Sequence, residues 1–454
     1  MQQMPDRADL IKEFLFDSTS DFSSVVNYKP ASKNWTTGDK HKTMRVDGAS
    51  NILEIGGNGH ASWAQIRMSI PPADLSNCHG YLFYKLDPND PMLPADGNTM
   101  KRMQLAFYGN NVAIDIGVSV SSSEVQTRKG WFCCSFTSEQ YSNGNPAVDM
   151  SKVTDVFIRP FFNTGWQGKI TMGYLGFFKK PAKARCTFRI DDGSHPLPHD
   201  QLTKFKIAHA LGIKVALAAI GHNADVDPQF FTLDQMKQLR DMGHIICNHL
   251  WSISGTNNVR LRPGWRYSDS NKRILTKQSD RRDQINRMAD WMERNGLGDY
   301  SRLIIVPGGM DHPLDRELIN EGTARALWYT EGIGAPTGTG IGTGNYLAWP
   351  YHSRTEFYAN RLTDSMPLAT VKTSIDNLVV SRGYDTIYCH SQTTSDWKET
   401  LEHALTHVAA GNLEIVNMDD FFPGGLSTLP RSSPGSVAHL NPTTNTTNII
   451  KTGY

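Results

Sequence analysis

Between residues 112 and 120, Val112, Ile114, Ile116, Val118 and Val120 recur at every second position. That is the period of a strand with one face buried. Comparable runs lie at Trp63–Ile70, Gly80–Leu86, Met103–Tyr108, Trp131–Phe136, Val153–Arg159 and Lys169–Phe178. Turn-forming segments separate them, among them Pro-Asn-Asp-Pro, Tyr-Gly-Asn-Asn and Ser-Asn-Gly-Asn-Pro. Short strands at such spacing predict an antiparallel β-sandwich of jelly-roll type over residues 41–180. Residues 1–40 are polar and mixed and predict one short helix around Leu10–Phe16. Lys179–Arg185 reads as a boundary.

Beyond Arg185 the pattern changes to alternating strands and helices. Strands are expected at Ala184–Ile190, Lys214–Ile220, His244–Cys247, Arg302–Val306, Ala326–Thr330, Tyr346–Trp349, Thr386–Cys389 and Leu413–Asn417. Thr232 and Gln235 form a capping box ahead of Met236, Leu239 and Met242, with Gly243 as the stop. Ile285, Met288, Trp291 and Met292 line one face of a second helix, and Trp397–Ala410 gives a third. This alternation over residues 184–425 predicts a parallel sheet closed into a distorted (β/α) barrel. Residues 426–454 form a polar tail rich in Ser, Thr, Asn, Pro and Gly, expected to be extended or poorly ordered.

A chain of 454 residues suits two to three domains. Its 46 Lys+Arg against 45 Asp+Glu leave a net charge of +1, which gives no reason to expect nucleic acid or an anionic membrane as partner. No window approaches the about 20 apolar residues of a membrane span, and the N-terminus offers no apolar signal-peptide core. Cys78, Cys133, Cys134, Cys186, Cys247 and Cys389 show neither C-x-x-C pairing nor regular spacing. They read as reduced, mostly buried residues of a protein folded in cytoplasm.

A (β/α) barrel carries its chemistry at the C-terminal ends of its strands. The expected ends are Asp191-Asp192-Gly193-Ser194-His195, Gly221-His222-Asn223, Asn248-His249-Leu250-Trp251, Pro307-Gly308-Gly309-Met310-Asp311-His312, Glu331, Tyr351-His352-Ser353-Arg354 and His390-Ser391-Gln392. Most of them hold a histidine, from only 15 in the chain. Taken singly, an Asp-Asp-Gly is a turn or cap, a strand-end histidine is a structural hydrogen-bonder, and Pro-Gly-Gly is a loop breaker. Their joint order points to an enzyme site.

The segment C-T-F-R-I-D-D-G (186–193) resembles the T-F-D-D-G motif of the polysaccharide deacetylases, carbohydrate esterase family 4. M-G-H-I-I-C-N-H-L-W-S (242–252) is similar to that family's second motif, G-H-E-I-G-N-H-T-W-S-H. I-I-V-P-G-G (304–309) and I-Y-C-H-S (387–391) are similar to its third and last motifs. The resemblance implies that Asp191 is the general base, Asp192 and His249 are metal ligands, and His390 is the general acid. It also implies a divalent metal, with Zn the default for mixed Asp/His ligation. Trp251, Pro307, Gly308 and Gly309 are expected to bind substrate, the two glycines leaving room for the backbone to approach the acetyl oxyanion. Two positions depart from the pattern. Ile253 stands where a further histidine ligand is expected, and Ile305 and Val306 precede Pro307 where the family has an arginine. A third ligand would then come from His195, His222, His312 or His352, or from water; otherwise the domain binds glycan without catalysis.

The resulting expectation is a metal-dependent deacetylase acting on an acetylated bacterial surface polysaccharide such as a capsule or O-antigen. Trp63, Trp131 and Trp166 would be stacking platforms wherever they are exposed. The competing expectation is an inactive carbohydrate-binding or receptor-binding protein. By architectural analogy, either would suit a phage tailspike, a homotrimer made in cytoplasm that acts outside the cell. A glycoside hydrolase needs carboxyls about 5–9 Å apart across a sugar, and would require Glu331 or Asp311 to partner the adjacent Asp191 and Asp192.

Overall fold

The computed structural model describes residues 7–15, 44–47, 50–55, 66–88, 100–109, 112–116, 130–137, 149–162, 168–194, 200–222, 224–251, 278–305, 318, 322–329, 356–358, 366–389, 392–417, 420, 436–440 and 447–451. The chain forms two compact units, one containing Pro5–Pro181 and the other containing Ala182–Glu331 and Pro350–Tyr454.

The first unit is antiparallel. Its strands are β1 (Leu10–Leu15), β2 (Met44–Asp47), β3 (Ser50–Ile55), β4 (Ile66–Ala73), β5 (Cys78–Pro88), β6 (Met100–Gly109), β7 (Val112–Ile116), β8 (Gly130–Thr137), β9 (Val153–Phe162) and β10 (Gly168–Lys179). One sheet runs β2-β3-β10-β5-β8 with β1 also on β10, and the other runs β4-β9-β6-β7. Phe107 of the second sheet meets Phe177 of the first edge to face at 5.8 Å. The helix expected at Leu10–Phe16 is instead strand β1, with Leu10 opposite Phe178 and Phe14 opposite Leu175. So short a segment cannot sustain a helix alone, and pairing with a long strand overrides its local preference. Trp63 and Trp166, and the side chain of Trp131, lie outside the described residues.

The second unit is built on parallel strands β11 (Ala184–Asp192), β12 (Val215–Ala219), β13 (Ile245–Asn248), β14 (Leu303–Ile305), β15 (Ala326–Tyr329), β16 (Glu356–Tyr358), β17 (Tyr384–Cys389) and β18 (Leu413–Ile415). Their order is β16-β15-β14-β13-β12-β11-β17, with β18 beside the first half of β11. The helices are α1 (Gln201–Ala210), α2 (Leu233–Asp241), α3 (Gln278–Arg294), α4 (Leu368–Ser381) and α5 (Thr394–Ala409). β12 and β13 are buried along their whole length, as strands covered on both faces must be. The Thr232–Gln235 capping box starts α2 as expected. The strand expected at Tyr346–Trp349 lies outside the described residues, and β16 occupies the edge.

No pairing closes β16 onto β17 among the described residues. The sheet nevertheless curls. Arg189 of β11 lies 5.0 Å from the ring of Trp328 on β15 and 5.0 Å from that of Tyr388 on β17. In a flat sheet β11 and β15, four steps apart, would be separated by about 19 Å. Arg189 therefore occupies the inside of a partly closed barrel. On the opposite face of β11, Phe188 packs edge to face on Trp397 of α5 at 5.7 Å. In the polar tail, β19 (Ser436–Leu440) and β20 (Thr447–Lys451) pair as an antiparallel hairpin, more order than composition suggested. Among the described residues no helix is long and apolar enough to cross a membrane. Cys78, Cys186, Cys247 and Cys389 are buried thiols outside any disulfide, and burial pushes the Cys78, Cys186 and Cys247 thiols up.

One buried histidine sets a pH dependence. His244 Nδ1 accepts from the Val215 N–H at 3.1 Å, and Nε2 donates to the Phe205 carbonyl at 3.1 Å. This arrangement requires the neutral ring. Burial pushes His244 down to about 4, with the Phe205 hydrogen bond opposing and the nearby His209 assisting. The unfolded chain takes up the proton near 6.5, so the contribution is complete above that pH and is lost as pH falls toward 4. We predict a loss of about 3 kcal/mol over this window in chemical denaturation, and a flatter profile in His244→Gln.

Candidate active site

β11 carries Arg189 and Asp191 two residues apart, so both side chains leave the same face of the strand. The Arg189 Nε–H donates to Asp191 Oδ1 at 2.7 Å and its Nη2 group donates to Oδ2 at 3.0 Å. Both residues are buried, at 0% and 3% exposure. A guanidinium and a carboxylate removed from water this completely are costly unless paired. The two-point fork supplies that pairing, and the aromatic faces of Trp328 and Tyr388 flank the cation. Cys247 of β13 lies within electrostatic reach of both charges.

The strand then turns sharply. Asp192 and Gly193 both adopt positive φ, 79° and 69°. A non-glycine residue is held in that region only by its surroundings. Gln201, wholly buried at the start of α1, provides the hold: its Nε2 donates to the Asp191 carbonyl at 2.9 Å and its Oε1 accepts from the Ser194 N–H at 2.7 Å. Sequence reasoning missed this clamp. Nothing in a periodic pattern marks a glutamine whose partners lie seven and ten residues back across a turn.

β13 delivers the second ligand candidate. The His249 N–H donates to the Ala219 carbonyl at 3.0 Å, and Asn248 fixes the strand end by donating to the Ser301 and Ile285 carbonyls at 2.8 and 3.2 Å. Asn248 Oδ1 accepts from the Leu250 N–H at 2.8 Å, and Leu250 adopts a φ of 73°. His249 Nδ1 donates to the Ile305 carbonyl at 2.7 Å, which fixes the ring and leaves Nε2 as the nitrogen turned to the site. That Nε2 lies 3.4 Å from Asp192 Oδ1. Asp192 pairs in register with Ala219, and Ala219 with Asn248. Only alanine on β12 separates the two side chains, so they meet across it.

The pair fits a metal. Two ligand atoms of one tetrahedral ion, with bonds of about 2.0–2.1 Å, lie about 3.4 Å apart. The partly exposed carboxylate of Asp192 and the Nδ1 hydrogen bond that orients the ring agree with this use. Among the described residues no third His, Cys, Asp or Glu joins Asp192 and His249 in a cluster of ligand size. His222 is exposed, its N–H donates to the Trp251 carbonyl at 2.8 Å, and it does not complete the set. His195, His312 and His352 lie outside the described residues, as do His390, Pro307, Gly308, Gly309, Ile253, Glu331 and Asp311. Cys389, which ends β17, pairs in register with Ile190, the residue before Asp191.

Trp251 is half-buried, with His222 5.9 Å and Trp291 6.3 Å away edge to face. Gly221 lies beneath it. A Cβ there would meet Met288 Sδ at 2.6 Å and the Trp251 ring at 2.8 Å. Gly221→Ala is expected to destabilise the unit by about 1–3 kcal/mol and to shift Trp251. Denaturation followed by tryptophan fluorescence checks both.

No protein-family model matches the chain, and no curated protein matches it. Among solved structures it is similar to the Bc1960 peptidoglycan N-acetylglucosamine deacetylase, at 12% identity over 54% of this chain and 91% of that one, with a TM-score of 0.35. It is also similar to a family 4 acetyl xylan esterase from Clostridium thermocellum, solved with a cobalt ion, at 14% identity over 58% and 96% of the two chains and a TM-score of 0.31. A third is BA3943, a CE4 family pseudoenzyme from Bacillus anthracis, at 11% identity over 53% and 66%, with a TM-score of 0.32.

Proposed function

We propose that this chain is a metal-dependent carbohydrate deacetylase acting on an acetylated bacterial surface polysaccharide. One observation carries the reading: a buried, charge-clamped carboxylate, Asp191, adjoins a His–Asp pair spaced as two ligands of one ion. The resemblance of the segments around 186–193 and 242–252 to deacetylase motifs supports it.

In this reading Asp192 and His249 hold a divalent ion, with zinc the natural choice for oxygen and nitrogen donors. When bound, such an ion supplies Lewis-acid polarisation and lowers the pKa of a water in its reach. Asp191 takes the proton of the attacking water. Arg189 fixes the plane of that carboxylate, so the base is oriented before substrate arrives. His390, next in the chain after β17, gives a proton to the departing amine or alkoxide. A carbon–oxygen bond to water forms and the acetyl–nitrogen or acetyl–oxygen bond breaks. Trp251, with Pro307, Gly308 and Gly309, is assigned to the sugar-binding surface.

A second reading, glycan binding without hydrolysis, is favoured by the two-ligand set among the described residues. Incubation with acetylated capsular or O-antigen polysaccharide, with acetate assayed before and after chelation, separates the two. Acetate release that chelator stops and Zn2+ or Co2+ restores is the expected result. Binding with no acetate under any divalent ion would establish the second reading.

A further inference from the structure

A second cluster of ligand-type side chains lies on the outer helices of the barrel unit. Asp376 of α4 and His403 and His407 of α5 bring one ligand atom each within 4.8 Å of one another. Both histidines present Nε2 to the same oxygen, Asp376 Oδ1, at 2.8 Å each. The rings stand edge to face with centroids 5.1 Å apart. The side chains are partly exposed, at 50% for Asp376, 24% for His403 and 21% for His407, so an ion can enter from solvent.

The seam between these helices is in register. Lys372 bonds Glu399 at 2.9 Å, and Asp376, one turn on, bonds His403, the residue one turn beyond Glu399. Parallel helices therefore present matched rungs four residues apart. His407 adds a second imidazole one turn further along α5. A single ion-pair rung needs one cation, as Lys372–Glu399 illustrates. The 2.8 Å contacts are hydrogen bonds, which a bound ion would replace by widening each pair to about 3.4 Å; two imidazoles at positions i and i+4 of a helix with a carboxylate facing both are the side-chain types of a first-row metal site.

This cluster is separate from the Asp192–His249 pair. α5 starts after the C-terminal end of β17 and leads into β18, which pairs with the first residues of β11. His403 and His407 lie in its last two turns, at the end of the sheet opposite Asp191 and Asp192.

We propose that Asp376, His403 and His407 form a structural site for a divalent first-row ion of the zinc class, with solvent completing the shell, that ties α4 to α5. The proposal does not rest on the deacetylase reading. The test uses the full chain carrying Asp192→Ala and His249→Ala, stripped with chelator and titrated with ZnCl2 in a calorimeter. One equivalent is expected, with an upward shift of the melting temperature of about 5 °C at a hundredfold excess over Kd. Adding His403→Gln and His407→Gln should abolish both, and Asp376→Asn should weaken them. Co2+ in the original pair variant should give visible d–d bands of a nitrogen/oxygen site, which the further histidine changes remove. The bands need no thermal comparison, so they decide the matter even if a variant melts early. No zinc equivalent in the pair variant, or one that survives loss of both histidines, would overturn the site.

Discussion

Arg189→Met should cost the barrel unit about 3–5 kcal/mol and reduce acetate release by about two to four orders of magnitude. The stability loss follows from burial. Asp191 is 3% exposed, and losing Arg189 strips a buried carboxylate of its two-point ion pair. The activity loss follows from orientation, because the bonds of 2.7 and 3.0 Å set the plane of the carboxylate assigned as base. The two effects can be separated. Arg189→Met with Asp191→Asn removes both charges, so it should recover much of the stability and none of the activity. Denaturation midpoints and initial rates on the four members of this cycle give both answers. A double variant as unstable as the single would show that packing of the guanidinium, rather than its charge, holds the site.

The second large effect is at His249. His249→Ala removes one of the two described ligand atoms, and bound zinc should fall from one equivalent to less than a tenth at that site. Activity should fall by about 10³-fold, the equivalent of roughly 4 kcal/mol of transition-state stabilisation. Asn248→Ala tests the support behind the ligand. Asn248 ties the strand end to the Ser301 and Ile285 carbonyls and holds Leu250 in its left-handed conformation. Its loss should weaken metal affinity by about 10–100-fold while leaving the ligand set intact. Elemental analysis of chelated and reloaded protein that also carries His403→Gln and His407→Gln, so that only this site is counted, reads both variants.

β11 to β15, β17 and β18 were legible because buried parallel strands are short apolar runs with helices between them, whereas β16 was not expected at Glu356–Tyr358. The ends of β11 and β13 were legible because the sequence leaves those runs into Asp-Asp-Gly and Asn-His. What joins these ends was not. Arg189 sits inside a strand pattern as an ordinary polar interruption, and only the curl of the sheet puts it against Trp328 four strands away. The motif resemblance leads one to expect an arginine before Pro307, where Ile305 and Val306 stand; the guanidinium found on Asp191 belongs to its own strand. The Leu10–Leu15 strand was misread because its partner, β10, lies over 150 residues away and leaves no local trace. The Asp376–His403–His407 cluster went unread for a similar reason. Its histidines lie on a helix rather than at a strand end, and Asp376 belongs to another helix.

The central claim is that Asp191 acts as a base beside a metal held by Asp192 and His249. Asp191→Asn tests it most directly, with acetate release and bound metal measured on the same zinc-loaded preparation. The substitution keeps the shape of the side chain and leaves both ligands untouched. The account predicts zinc content equal to wild type at the Asp192–His249 site and acetate release reduced at least about a hundredfold. Release at the wild-type rate with zinc still bound would contradict it.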